Sequence, residues 1–383
     1  MKMMRMVKTM LQTKEQEICN QNLKQKCPIR GIFASCYNIP MQEQALYRKY
    51  RPENFDEVLG QEHIVKVLSG AIKLGNISHS YLLHGSRGTG KTTIARIIAR
   101  ELKTAPEDIF EIDAASNRGI DDIRELREGI RTLPFNSKYK IYIIDEVHML
   151  TKEAWNALLK TLEEPPAHVV FVLATTEIEK VPDTIVSRCQ VFTFKKPSIA
   201  ILKELIIGIG KKEKFKLDAA GAELIALLGD GSFRDTQGIL QKVMSFSKDR
   251  EISLAEIESV TGAPPGGLVN SFLESIVIGD IEAGLGIIRK ASEQNIDMEI
   301  FLKLLLAKTR TALLIRYAGE MKKELTEDMG DTDREFILGL LQSKSQNLNS
   351  KTLELLLTAG EQMKYASIKE LPLELALVKI LEK

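Results

Sequence analysis

Between Ser80 and Phe194, short β-branched apolar runs alternate with longer stretches in which apolar residues return every three or four positions. The runs are Ser80–His84, Ile109–Asp113, Lys140–Asp145, His168–Ala174 and Cys189–Phe194. Near-continuous hydrophobicity over so short a length marks strands covered on both faces, and the helical spacing between them predicts crossover helices. The prediction is an α/β fold built on a parallel sheet. After Lys196-Pro197 the strand pattern stops. Residues 198–260 read as several short amphipathic helices, with Leu224, Ile225, Leu227 and Leu228 on one apolar stripe. The segment Gly262-Ala-Pro-Pro-Gly-Gly267 is the strongest breaker in the chain, and beyond it dense Leu and Ile at helical spacing continue to Lys383. The divisions expected are therefore 1–40, 41–196, 197–262 and 263–383.

Composition narrows the class. With 44% hydrophobic and 27% charged residues, the chain has an ordinary globular make-up, which argues against a disordered tract or a coiled-coil rod. The longest apolar stretch, Phe301 to Ile315, is interrupted by Lys303, Lys308 and Arg310, so no membrane span is expected. Cys19, Cys27, Cys36 and Cys189 form no C-x-x-C pair, which fits a reducing, cytoplasmic setting better than a disulfide framework. The net charge of +1 is unevenly spread: residues 1–40 carry seven basic and two acidic residues, a net +5, leaving −4 for the rest. Nucleic acid, if bound, would have to meet a local basic patch. Residues 1–40 read as a disordered tail, as sequence upstream of a start at Met41, or as a transit peptide.

Two motifs carry chemistry. The run Gly85-Ser86-Arg87-Gly88-Thr89-Gly90-Lys91-Thr92, followed by Thr93, is G-x-x-x-x-G-K-[ST] between a strand and a helix. In that context backbone N–H groups cradle phosphate, Lys91 reaches the β/γ oxygens, and the Thr92 hydroxyl ligates Mg2+. The second is the apolar run from Lys140 that ends in Asp145 and Glu146. Asp145 is placed to hold Mg2+ and Glu146 to polarise an attacking water. Together they predict nucleotide binding and hydrolysis. His148 reads as a packing or loop residue. On spacing alone Arg188 and Arg234 read as surface arginines.

The combination of Tyr47-Arg-Lys-Tyr-Arg-Pro52, Phe55-Asp-Glu-Val-Leu-Gly-Gln61, the phosphate loop, Glu111-Ile-Asp-Ala-Ala-Ser-Asn117, Asp145-Glu-Val-His-Met-Leu150, Asn156-Ala-Leu-Leu-Lys-Thr-Leu-Glu-Glu-Pro-Pro166, Leu173-Ala-Thr-Thr176 and Ser187-Arg-Cys189 closely resembles the bacterial DNA polymerase III gamma/tau family, the ATPases of the sliding-clamp loader. The resemblance runs from about Gln44 to Ala263. It implies an AAA+ P-loop NTPase domain with a parallel sheet, a helical lid and an all-α collar that assembles a ring. It further implies that Tyr50, Arg51, Pro52, Val58 and Gly60 line the adenine pocket, that Thr176 is sensor 1 and Arg234 sensor 2, and that Arg188 is an arginine finger acting in trans. Arg188 should then point away from its own phosphate loop. Arg118, Arg124 and Arg127 become candidates for contact with primer–template DNA, or else are surface charges paired with Asp121, Asp122 and Glu125.

The implied partners are the delta and delta prime subunits, further gamma copies, the sliding clamp and DNA; none is a membrane. Two departures from the family stand out. Glu101–Asp108 lacks the cysteines of the family's zinc module, so no zinc site is expected. The chain also stops at Lys383, where the collar would end, which gives a gamma-like form without a tau extension. The rival readings are a non-hydrolysing subunit akin to delta prime and an AAA+ motor such as the Holliday-junction helicase. The intact motifs speak against the first, and the missing winged-helix pattern against the second.

Overall fold

The computed structural model describes residues 44–117, 119, 126, 128–318, 331–343 and 345–382. Residues 1–40, Met41 and the DNA candidates Arg118, Arg124 and Arg127 lie outside the described residues. Strands β1 (Ser80–His84), β2 (Ile109–Asp113), β3 (Lys140–Asp145), β4 (Val169–Thr175) and β5 (Gln190–Thr193) form one sheet in the order β2-β3-β4-β1-β5, every neighbouring pair parallel. The first three strands have the predicted limits. The fourth is shifted by one residue, and the fifth is shorter at both ends.

Side-chain alternation builds the two faces of the sheet. After a first short helix, α1 (Leu46–Lys49), one face sets Ile141 and Ile143 of β3 with Val170, Val172 and Ala174 of β4 against α2 (Glu62–Leu74) and α3 (Lys91–Glu101), which supply Ile64, Leu68, Ile94 and Ile98. On the other, Tyr142 and Ile144 join Phe171 and Leu173 against Trp155, Leu158 and Leu162 of α4 (Lys152–Glu163). All of β4 is buried, as a central strand with both faces covered must be. One prediction fails here. The passage from β4 to β5 has only the four-residue helix α5 (Asp183–Val186) and a short 3-10 turn, because it need only step across β1.

Four helices follow: α6 (Ile199–Lys212), α7 (Ala219–Leu228), α8 (Phe233–Phe246) and α9 (Leu254–Thr261). They bury Leu202, Ile206, Ile225, Leu240, Val243 and Ile257 in a common core. The expectation of no strands after Lys196 is corrected: Lys216–Leu217 and Glu251–Ile252 pair in parallel as β6 and β7. Two-residue strands are too short to leave an alternating pattern. Gly262 ends α9 in the left-handed region at φ 72°, and the chain restarts as α10 (Gly266–Ile278). Beyond it come α11 (Ile281–Glu293), α12 (Met298–Tyr317), α13 (Asp331–Gln342), α14 (Ser350–Met363) and α15 (Leu371–Leu381). Phe272, Phe301, Leu305, Leu356 and Leu377 sit at the centre of their separate core. The architecture is a parallel-sheet α/β domain followed by two helical regions, the lid (α6 to α9) and the collar (α10 to α15). Among the described residues no helix is long and apolar enough to cross a membrane.

Candidate functional site

The C-terminal ends of β1, β3 and β4 share one edge of the sheet, with His84 in register with Thr175. In open parallel sheets this edge is where ligands bind. The chain leaves β1 through the loop 85–90 and enters α3 at Lys91, so the first N–H groups of α3 point into the space above the edge. Gly88 and Gly90 take φ of 74° and 103°, conformations that a side chain resists. Gly88 has a second constraint, because a Cβ there would lie 2.0 Å from Ser232 Oγ. Ser232 caps α8, accepting from the Asp235 N–H at 3.1 Å, and the Phe233 N–H donates to the Gly88 carbonyl at 2.9 Å. The lid is thereby seated directly on the loop.

Lys91 is 6% exposed, and its ammonium donates to the carbonyls of Gly85 (2.7 Å) and Ser86 (2.9 Å). Burial lowers its pKa, against the opposing pull of the Glu146 and Asp145 carboxylates. The Thr92 hydroxyl donates to Asp145 Oδ2 at 2.7 Å, and the other Asp145 oxygen accepts from the Glu146 N–H at 3.0 Å. Glu146 occupies the left-handed region at φ 48°, a conformation uncommon outside glycine that costs about 1 kcal/mol or more. Its Oε2 accepts from the Thr176 hydroxyl at 3.0 Å. Two strand ends and a helix start thus gather one ammonium, two carboxylates and two hydroxyls.

Beside this cluster opens a cleft of about 610 Å³, within the usual range for small-molecule sites. Its walls include Tyr50, Arg51, Pro52 and Val58 from the N-terminal segment, Arg87 to Thr93 from the loop and α3, and Asp145 and Glu146. Burial, then the neighbouring Arg96 guanidinium, lowers the pKa of Arg51. The Tyr50 hydroxyl donates to Glu213 Oε1 at 2.8 Å, and burial followed by that carboxylate raises its pKa. Gly60 lies off the wall: it turns at φ 71°, and a Cβ there would face Ile201 at 3.2 Å. Gly85, Ser86 and Thr176 stand behind the wall, touching it through Lys91 and Glu146.

Arg234 lines the cleft from the start of α8, its guanidinium 4.9 Å from the centre of the Tyr47 ring. Arg188 is not on the wall. It bonds to Glu163 Oε1 at 2.9 Å and to the Thr184 carbonyl at 2.6 Å, at the far end of α4. Sequence reasoning missed the lid wall, namely Glu204, Leu205, Gly208 and Lys212 of α6 and Phe233 and Gln237 of α8, together with Tyr47. A glycine inside a helical pattern and the Ser232-x-x-Asp235 start of α8 were the available signals.

The donor set fits a nucleoside triphosphate with magnesium. Cations and the start of α3 suit polyphosphate, and the Thr92 hydroxyl and Asp145 carboxylate are the hard oxygen ligands that Mg2+ takes. Elsewhere among the described residues no group of three or more His, Cys, Asp or Glu side chains could hold a metal ion.

Two family models match the chain: DNA polymerase III, delta subunit, over residues 103–198, and DNA polymerase III subunits gamma and tau domain III, over residues 252–383. The chain is 39% identical over 287 residues to the DNA polymerase III subunit gamma/tau of Mycoplasma genitalium, covering 70% of this chain and 48% of that protein. It is 36% identical over 366 residues to the DNA polymerase III subunit tau of Bacillus subtilis, covering 89% and 63% respectively. The chain thus spans about half to two thirds of the length of these relatives. Among solved structures, the Holliday junction branch migration motor RuvB of Thermotoga maritima superposes with a TM-score of 0.48 at 25% identity, over 60% of this chain and 79% of that one. The gamma and tau model covers the collar, and the gamma/tau and tau relatives agree at 36–39% identity over most of the chain. The chain belongs to the gamma/tau family of DNA polymerase III subunits.

Proposed function

We propose that this chain is an ATPase subunit of the DNA polymerase III clamp loader, acting in the cytoplasm in DNA replication. The observation that carries the reading is the meeting of Lys91, Thr92, Asp145 and Glu146 beside the cleft. In this reading the adenine lies against Tyr50, Arg51, Pro52 and Val58, and the triphosphate lies over Gly85 to Thr93. Lys91 exchanges its bonds to the loop carbonyls for β/γ oxygens, which repays its burial with a full counter-charge. Thr92 and Asp145 would hold magnesium, which would neutralise charge on the phosphate oxygens. Glu146 polarises the water that attacks the γ-phosphorus, with ADP as leaving group. Thr176 reads the γ-phosphate through its bond to Glu146, and Arg234 leaves Tyr47 to reach the phosphates.

Arg188 serves the ATP of a neighbouring subunit. Its place on Glu163, away from the cleft of its own chain, supports a role in trans. The working divisions are 41–196 for the ATPase domain, 197–262 for the lid and 263–383 for the collar. The collar joins this chain to delta, delta prime and further gamma copies. ATP bound between subunits sets the ring that opens the sliding clamp and grips primer–template DNA, through Arg118, Arg124 and Arg127. Nucleotide addition belongs to other subunits of the holoenzyme. An Arg188→Ala variant tests the scheme. It should bind ATP like the parent, and the assembled complex should lose about 10³-fold in DNA-stimulated hydrolysis. Unchanged turnover in the assembly would remove Arg188 from the site.

A further inference from the structure

His148 lies in the 3-10 turn Val147–Met149 just past Glu146, and its side chain is 6% exposed. Among the described residues the polar partners of its ring are oxygens. Nδ1 is 3.0 Å from Thr175 Oγ1 and 3.5 Å from Glu146 Oε2, and Nε2 is 3.3 Å from Glu177 Oε1. The Thr175 hydroxyl donates to the Glu177 carbonyl at 3.1 Å and accepts from the Glu177 N–H at 3.0 Å. With the Thr175 proton on the Glu177 carbonyl, the ring turns its Nδ1–H toward the Thr175 hydroxyl oxygen, and Glu146 Oε2 lies 3.5 Å from the same nitrogen. The imidazole bridges the turn after β3 and the end of β4. Oε2 of Glu146 consequently has the Thr176 hydroxyl and the His148 ring as two separate neighbours.

We propose that His148 is a positioning residue for Glu146, fixing its carboxylate for the attacking water while Glu177 and Thr175 hold the ring. The inference rests on the ATPase reading above. Glu146 needs such support because it sits on a strained backbone with a side chain that is 31% exposed, and a single hydroxyl contact leaves the carboxylate free to turn. A base displaced by about 1 Å loses on the order of 10²-fold in rate, so a residue that only orients it is worth one to two orders of magnitude.

The test is steady-state ATP hydrolysis by the full chain in its clamp-loader assembly, alongside titration with a non-hydrolysable ATP analogue. His148→Ala should lower kcat by about 10- to 100-fold, with KM and analogue affinity within about twofold of the parent. Glu177→Gln, at a half-exposed position that should leave folding intact, should lower kcat by a smaller factor, again with KM unchanged. His148→Gln, which keeps one N–H donor, should recover part of the loss. If His148→Ala and Glu177→Gln both turn over like the parent, the positioning role is overturned and the ATPase reading stands. A loss of analogue affinity in step with kcat also overturns it, since that marks a general disturbance of the site. If the unaltered assembly fails to hydrolyse ATP, the ATPase reading falls and the positioning role with it.

Discussion

Lys91 shows how a single residue can be held ready at the expense of the fold. Its ammonium is buried with only carbonyl partners, and burial lowers its pKa below the ordinary 10.5. A lowered lysine pKa means that the unfolded chain binds the proton more tightly than the folded one. The stability deficit is therefore present in full at neutral pH and is relieved as pH rises toward 10.5. Without nucleotide, the stability of the parent relative to Lys91→Met should increase as pH climbs over that range, as read from paired thermal melts. Adding Mg-ATP at neutral pH should raise the melting temperature of the parent and leave that of Lys91→Met unmoved. A stability difference that falls with pH would contradict the assignment. The identity of this lysine was legible from the loop motif alone. Its present partners were not, because backbone carbonyls leave no mark in a sequence.

At the scale of elements, the contact that matters most is between the phosphate loop and the N-terminus of α8. Gly88 combines a left-handed φ of 74° with the Ser232 hydroxyl 2.0 Å from where a Cβ would stand. Gly90 has a φ of 103° but open space at the same point. Gly90→Ala should therefore cost about 1–2 kcal/mol of stability from backbone strain alone. Gly88→Ala should cost more, and should weaken nucleotide binding by separating the lid from the loop. Equal destabilisation of the two variants in denaturant unfolding would contradict this seating. Three of the five strands were legible to the residue, since buried parallel strands announce themselves as unbroken apolar runs. The β6–β7 pair was not, because Lys216–Leu217 and Glu251–Ile252 are brought together by tertiary packing of the lid helices. The lid wall of the cleft was also hidden. Glu204 and Lys212 read as ordinary solvent-facing charges until α6 is placed against the loop.

For the whole molecule, the proposed function divides one reaction between two copies of the chain. The cleft of a single chain is lined by Lys91, Thr92, Asp145, Glu146 and Arg234, with Thr176 behind it on Glu146, whereas Arg188 is held on Glu163 at the end of α4, off the cleft wall. In the proposed function, a lone chain binds ATP but turns it over slowly, and assembly completes the site. On that reading the small net charge is consistent, since a chain with −4 outside residues 1–40 would have no permanent field to hold DNA between cycles. The arginines were legible as residues, yet their roles were not, because on the proposed reading Arg188 would act on a neighbouring chain that no local spacing encodes.

The central claim is that Glu146 beside the cleft drives ATP hydrolysis, and turnover by the assembled complex carrying Glu146→Gln tests it most directly. The expected result is a loss of about 10²-fold or more in kcat with ATP binding retained, because the amide keeps the shape of the side chain but cannot polarise water as a carboxylate does. Turnover equal to that of the parent would contradict the account.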